Sequence, residues 1–445
     1  MYEIMINIFR YIFIIYIFIF LTIGFLICIK ERTNNNFNDK PLLLVQRFII
    51  FLFHASAFMI LSFNKETNQF NLSIIPFFIY TIIFITLGNF IACLFYKKSC
   101  HLIWNGIFFL MSIGICMLYR LNIDLAKKQF VWFILGFFIC LIIPIILNSL
   151  PRLNLFKYLY LFLGLCLLLL TLLIGIENGG AKNWISINGF TFQPSEIVKI
   201  LFIFYLCSSL SKPNLKLKDL FFPTLMSLIF IVCLVFQTDL GSALIFFMTF
   251  LVIVYIATSK NWIIFLGSVL ACVGSYIGYK YFNHIRVRFS IWLNPWNDIS
   301  NKGYQIAQSL FAIGTYGALG SGFNNGMPNK IPVVERDMIF SAICEEFGIF
   351  FGIGLIFIFV MIFYRGVKIS LNNKNKFLII LSSGMTSLIC FQTFLIIGGV
   401  TKLIPLTGVT LPFISYGGSS IVISFVLIGI LQWISIKNNK LYNEN

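Results

Sequence analysis

The sequence predicts an all-α, polytopic membrane protein, a bundle of about thirteen transmembrane helices. Three observations lead there. Of 445 residues, 59% are hydrophobic and only 11% charged, with a mean hydropathy of +0.95, whereas soluble domains carry roughly 25% charged residues. Apolar runs of about 17 to 25 residues, enough to cross ~30 Å of hydrocarbon as helices, recur from end to end. The alternating apolar and polar segments that would build a membrane barrel are absent.

Bounded by polar clusters, the helices are expected near 5–29, 43–63, 73–96, 102–119, 129–148, 157–176, 193–211, 220–237, 240–257, 261–281, 338–364, 377–399 and 409–436. The first run is too long for a signal peptide, carries Arg10 in its early turns and lacks a small-residue cleavage site, so it counts as a helix. Lysine and arginine then set the orientation. One set of loops holds Lys30, Arg32, Lys40 and Arg47, then Lys97 and Lys98, Arg152 and Lys157, Lys212, Lys216 and Lys218, and Lys260. The same set continues with Arg365, Lys368, Lys374 and Lys376, and ends with Lys437 and Lys440. The alternate short loops hold far fewer: Lys65, Arg120, Lys127, Lys128, Lys182 and Lys402. By the positive-inside rule the richer set is cytoplasmic, so the N-terminus lies outside and the C-terminus is cytoplasmic, in keeping with an odd helix count.

The alternation places three segments outside: 177–192, 400–408 and a long loop, 282–337, between the tenth and eleventh helices. That loop is half apolar ("IAQSLFAIG") and is expected at the membrane interface or re-entering its face. GxxxG spacings at Gly274 and Gly278, and at Gly348 and Gly352, predict close helix packing. "ERTNNNFNDK" is an Asn-rich linker.

The net charge of +17 reflects loop lysines of a membrane protein and implies no nucleic acid. Eleven cysteines stand singly in apolar runs with no CxxC, and His54, His101 and His284 have no metal-ligand spacing. No metal site is predicted.

Ionisable residues within or beside membrane helices are costly and therefore functional candidates. In "FQPSEIVKI", Glu196 and Lys199 share a helical face and can pair, either to fix packing or to hold an anionic substrate. Asp239 in "FQTDLGSA" suits a helix N-cap as well as a site. Glu345 and Glu346 in "AICEEFG" are expected in the opening turns of a helix, where the dipole favours them. In "TKLIPLTGVTLPFISYGGSS", prolines and glycines bend the backbone beside Lys402, and the amides around Ser415, Gly417 and Gly418 are candidates to bind a phosphate-like group. In "RVRFSIWLNPWNDISNKGYQIAQSLFAIG", Arg286 and Arg288 precede two tryptophans and one carboxylate, Asp298.

Over roughly residues 102–436 the chain resembles the SEDS proteins, the group containing RodA, FtsW and SpoVE. The resemblance is carried by "GGAKNWISINGFTFQPSEIVK", "QTDLGSA", "WLNPWNDISNKGYQIAQSLFAIG", "IPVVERDMIFSAICEEFG" and "LPFISYGGSS" in this order. It implies a ten-helix core at 101–445 preceded by three additional helices in 1–100, and a bacterial cytoplasmic-membrane enzyme. Such an enzyme polymerises lipid II into glycan strands outside the membrane, with a class B penicillin-binding protein transpeptidase as partner. It also implies Asp298 as the catalytic residue. Where the family often reads a histidine and "TDFIF", this chain reads "ERDMIF", which leaves Glu335 and Asp337.

The implied reaction converts an α-linked donor into a β-linked product, an inversion with a diphosphate leaving group, for which one carboxylate acting as general base suffices. The residues expected to hold substrate are Arg286, Arg288, Glu196, Lys199, Lys402, Asp239, Glu345, Ser415, Gly417 and Gly418, with a divalent cation, Mg or Mn, as a candidate helper. The rival readings are a lipid II flippase, which needs a polar path through the bilayer, and a non-catalytic scaffold for a transpeptidase.

Overall fold

The computed structural model describes residues 2–33, 38–63, 69–150, 152–178, 180–187, 190–213 and 215–441. Positions 34–37 of the Asn-rich linker and Lys65 lie outside them. Three helices come first: α1 (Tyr2–Thr33), α2 (Lys40–Ser62) and α3 (Ile75–Phe95). Then follow α4 (His101–Leu121), α5 (Ile123–Ser149) and α6 (Lys157–Ile174). Three short strands, β1 (Ile176–Asn178), β2 (Ala181–Ile187) and β3 (Phe190–Phe192), form an antiparallel sheet in that order where a plain loop was expected. Next come α7 (Pro194–Leu210), α8 (Leu217–Phe236), α9 (Leu240–Thr258) and α10 (Asn261–Tyr281). The long loop holds α11 (Asn283–Leu293), α12 (Tyr304–Thr315) and α13 (Ile339–Phe347), before α14 (Ile349–Leu371), α15 (Lys376–Val400) and α16 (Gly418–Leu441).

Twelve helices among the described residues are long and apolar enough to cross a membrane. α7 is not among them, but its 17 residues are at the short end of the crossing range. It runs antiparallel along α15: Lys199 donates to Gln392, while Lys376 donates to the Lys212 carbonyl just beyond the helix. Counting it restores thirteen.

The three leading helices complete the core. Every α4 residue from Leu102 to Tyr119 is buried, because α1–α3 cover the side that α5 and α14 do not. A polar ladder ties the layers together: Asn89 donates to Asn105 (2.9 Å), Asn105 to Gln46 (3.0 Å), and Gln46 to the Phe20 carbonyl (3.0 Å). In hydrocarbon each such group needs a partner, so the ladder specifies how the extension docks.

Three helix boundaries that bear on the site differ from expectation. Asn122 caps α5 by accepting from the amides of Asp124 and Leu125, so α5 begins six residues before the predicted 129 and carries Lys128 on the helix itself. The expected helix over 338–364 is broken at Gly348 (φ +90°), where an added Cβ would lie 2.4 Å from the Ala318 carbonyl oxygen. Glu345 and Glu346 therefore lie in the last turn of α13, not in the opening turns of a longer helix, and the dipole does not favour them there. The final helix likewise starts at Gly418 rather than 409, leaving 402–417 irregular. Of the GxxxG glycines, Gly274 meets nothing within 4 Å, so that spacing does not mark close packing.

Gly348→Ala is expected to lower stability by about 1–3 kcal/mol or more, since neither the positive φ nor the space admits a methyl group. Thermal unfolding in detergent checks it, and an unchanged midpoint would contradict the close approach.

Candidate active site

Several loops at one end of the bundle converge on a cavity of about 930 Å³. Its wall takes Lys128 from α5, Asn183 and Trp184 from β2, Gln193 and Glu196 at the head of α7, and Asp239 before α9. The long loop adds Arg288, Trp292, Lys302, Gln305, Arg336 and Asp337, and the 402–417 segment adds Lys402, Leu406 to Thr410, Tyr416 and Gly417. Gly418 to Ser420, the first turn of α16, complete it.

Asp239 caps α9 by accepting from the Ser242 amide (3.0 Å), and its other oxygen accepts from Ser242 Oγ (2.9 Å), Gln193 (2.8 Å), Asn183 (3.1 Å) and Ser195 (3.4 Å). With so many donors it is a fixed anionic post that ties β2, α7 and α9 together. Glu196 holds Lys199 at 2.7 Å on the same helical face. Lys199 is 1% exposed and does not reach the cavity; it also bonds Gln392, which holds the Thr410 carbonyl of the wall. The pair is a buried brace.

Arg288 donates to the Leu406 carbonyl (2.9 Å), and Trp292 Nε1 to the Lys402 carbonyl (3.1 Å). These bonds staple α11 to the irregular 402–417 segment, where Lys402 adopts φ +61°. Burial holds the Arg288 pKa below its usual value, with Asp239 and Asp337 working against the shift. Tyr416 donates its amide to the Glu335 carbonyl, and Ser415 Oγ donates to the Arg336 carbonyl (2.6 Å). Ser415 thus sits behind the wall as a clamp.

Several expected residues fall elsewhere. Arg286 turns away to the Lys280 carbonyl and lies over the Tyr279 ring. Glu345 accepts from the Met327 amide (2.6 Å) and Glu346 from Arg120 (3.2 Å), outside the cavity. The Gly417 amide is engaged by Gln129, leaving the first-turn amides of α16 for an anion. Asp298 does not line the cavity. Its carboxylate accepts from Asn301 (3.1 Å) and from the Lys302 amide (3.4 Å), in the turn that delivers Lys302 and Gln305 to the wall.

The sequence reading missed Lys128, Lys302, Arg336 and Asp337. Arg336 and Asp337 stood in a quoted motif, and the Asn122 cap was the available signal for Lys128. Two buried oxygens at the wall, Thr407 Oγ1 and Asn183 Oδ1, lack a hydrogen-bond partner among the described residues, which fits a polar ligand. No group of three His, Cys, Asp or Glu among those residues could hold a metal ion.

The sequence profile of the cell cycle proteins FtsW, RodA and SpoVE matches residues 92–440. The chain belongs to this family. Peptidoglycan glycosyltransferase RodA of Mycobacterium leprae (strain TN) is 35% identical over 353 residues, covering 73% of this chain and 75% of that protein. Probable peptidoglycan glycosyltransferase FtsW of Wigglesworthia glossinidia brevipalpis is 36% identical over 346 residues, covering 73% and 88%. Stage V sporulation protein E of Bacillus subtilis (strain 168) is 32% identical over 290 residues, covering 62% and 78%.

Among solved structures, a chain of a peptidoglycan synthase complex aligns with a TM-score of 0.65 at 24% identity, over 76% of this chain and 98% of that one. The Thermus thermophilus rod shape determining protein RodA aligns at 0.56, also 24% identical, over 76% and 96%. Both share the fold. This FtsW/RodA/SpoVE member is thus a multi-pass membrane protein, with α1, α2 and most of α3 preceding the part that its family shares.

Proposed function

We propose that the cavity holds a polyprenyl-diphosphate-linked disaccharide, lipid II, during glycan-strand polymerisation on the outer face of the cytoplasmic membrane. The chain is a peptidoglycan glycosyltransferase, as its relatives are named. One observation carries the reading. Five cations (Lys128, Arg288, Lys302, Arg336 and Lys402) and the first turn of α16 ring a polar cavity whose surrounding helices expose apolar side chains to lipid. A diphosphate is met by the cations and the helix N-terminus, while a polyprenyl tail runs along the apolar flanks.

In this scheme the acceptor 4-hydroxyl oxygen attacks the anomeric carbon of the donor, and the bond from that carbon to the diphosphate oxygen breaks with inversion. The hydroxyl proton passes to Asp337, the wall carboxylate that accepts no hydrogen bond among the described residues, and the departing charge falls on the cationic wall. A general base contributes about 10² to 10⁴ in rate, with orientation and charge stabilisation adding the remainder. The outward orientation of this end follows from the positive-inside distribution. The partner is a class B penicillin-binding protein transpeptidase, a pairing supported by the match to a chain of a peptidoglycan synthase complex.

The test is glycan synthesis from purified lipid II by the full chain with such a partner, its transpeptidase site inactivated. Polymer that depends on this chain is expected. A folded complex that yields none, yet moves lipid II between leaflets of a vesicle, would establish the flippase instead; neither activity would leave a scaffold.

A further inference from the structure

α9 runs from Asp239 at the large cavity to Thr258, and at that far end of the bundle lies a second cavity of about 200 Å³. Three lysines, Lys216, Lys260 and Lys376, and three leucines, Leu215, Leu217 and Leu220, line it. They come from three places in the chain. Lys216 precedes α8. α9 ends at Thr258 and α10 begins at Asn261, and Ser259 makes this short link in the left-handed region (φ +55°), which stands Lys260 at the head of α10. That helix starts without a side-chain cap, so its first amides stay open. Lys376, the first residue of α15, is steadied by donating to the Lys212 carbonyl (3.0 Å).

The acid beside this cluster, Asp219, is already engaged, accepting from Lys212 Nζ (2.8 Å) and from the Lys216 amide (3.0 Å). Among the described residues none of the three cavity lysines has a carboxylate within 4 Å. Like charges that converge on one hollow repel one another unless an anion sits among them. The volume is below the roughly 300–1,000 Å³ of pockets that take a whole small molecule, so the hollow suits one phosphate-sized group. Free phosphate gains nothing from the three leucines. Phe221 of α8 and Trp262 and Phe265 of α10 are also exposed on the flanks, and both helices pack on α9. A headgroup that carries acyl chains uses the lysines and the apolar surface together.

We propose that this hollow binds the phosphate of an anionic phospholipid, with Lys216, Lys260 and Lys376 around the phosphate and the acyl chains along α8 and α10 past Phe221 and Phe265. The positive-inside distribution puts the site in the cytoplasmic leaflet. Basic hollows between transmembrane helices hold anionic headgroups, and each lysine near the surface contributes about fivefold in affinity. The site needs no lipid II and stands apart from the polymerisation reading. A lipid seated there joins the ends of α8, α10 and α15, and by binding the folded chain it raises the unfolding midpoint.

The experiment titrates the full chain in neutral detergent with dioleoyl phosphatidylglycerol, dioleoyl phosphatidylcholine or inorganic phosphate. Bound lipid is read by native mass spectrometry, and stability by the unfolding midpoint. Phosphatidylglycerol should bind the wild type and raise its midpoint, whereas phosphatidylcholine and millimolar inorganic phosphate should do neither. The triple variant Lys216→Gln, Lys260→Gln and Lys376→Gln should bind phosphatidylglycerol about a hundredfold more weakly. A charge-matched control from other loops of the same end, Lys97→Gln, Lys157→Gln and Lys437→Gln, should stay within about threefold of the wild type, since distant charge is screened. Lys260 is exposed, so Lys260→Gln alone, with an expected loss of about fivefold, decides the matter if the triple variant does not fold. Unchanged binding in the site variants, an equal loss in the control, or equal binding of phosphatidylcholine would each overturn the proposal. An equal response to inorganic phosphate would overturn the lipid and mark a site for soluble phosphate.

Discussion

Asp337→Asn is expected to lower polymerisation by about 10² to 10⁴ while leaving expression and the unfolding midpoint unchanged. The substitution keeps the shape of the side chain and one acceptor oxygen, so the segment that the Tyr416 amide and Ser415 Oγ hold through the Glu335 and Arg336 carbonyls can persist. What it removes is the capacity to take a proton. The comparison is therefore sharp, because Asp337 lines the cavity and its carboxylate holds no turn together, whereas Asp298 meets Asn301 and the Lys302 amide outside the cavity. Activity near the wild-type level in the Asp337→Asn variant, with a loss in Asp298→Asn, would move the base from the cavity wall to the turn before α12. Single-turnover rates with prebound lipid II are the cleanest measurement, since they exclude altered substrate affinity.

The second large effect concerns stability. Glu346 has no exposed side-chain surface, and its oxygens meet Arg120 at 3.2 Å and the Asn324 amide at 3.3 Å. Arg120 also donates to the Gly326 carbonyl, so one guanidinium joins α4 to both α13 and the 320–327 segment. Arg120→Ala leaves a buried charge without its counter-ion and should cost about 3–5 kcal/mol, read as a fall in the detergent unfolding midpoint. The double variant Arg120→Met with Glu346→Leu should recover much of that loss, because the unpaired charge disappears with its partner. A double variant as unstable as the single one would show that shape, not charge, governs this junction.

The helices were legible because crossing a bilayer imposes a length and an apolarity that any window of the chain reveals. Their number and order, and the polar chemistry of the loops on one side, follow from residues near one another in the chain. The places where expectation failed are instructive. Gly348 lies in an apolar run that reads as one helix; only the 317–320 backbone packed against it demands the break, and with that break Glu345 and Glu346 pass from helix start to helix end.

The sequence by itself determined a multi-pass helical bundle, the family's motifs, and the segments that converge at one end. The tertiary structure alone decided which ionisable side chains face the cavity. Arg286 and Arg288 are two residues apart, yet one turns to the Lys280 carbonyl and the other staples the 402–417 segment at the wall. Asp239 and Asp337 are both acidic residues beside a helix start, yet one is encircled by donors and the other has none to its carboxylate among the described residues. The physical reason is that composition and spacing set the cost of burying a charge, whereas the partners that offset it come from segments tens to hundreds of residues away, and only their packing brings them within reach.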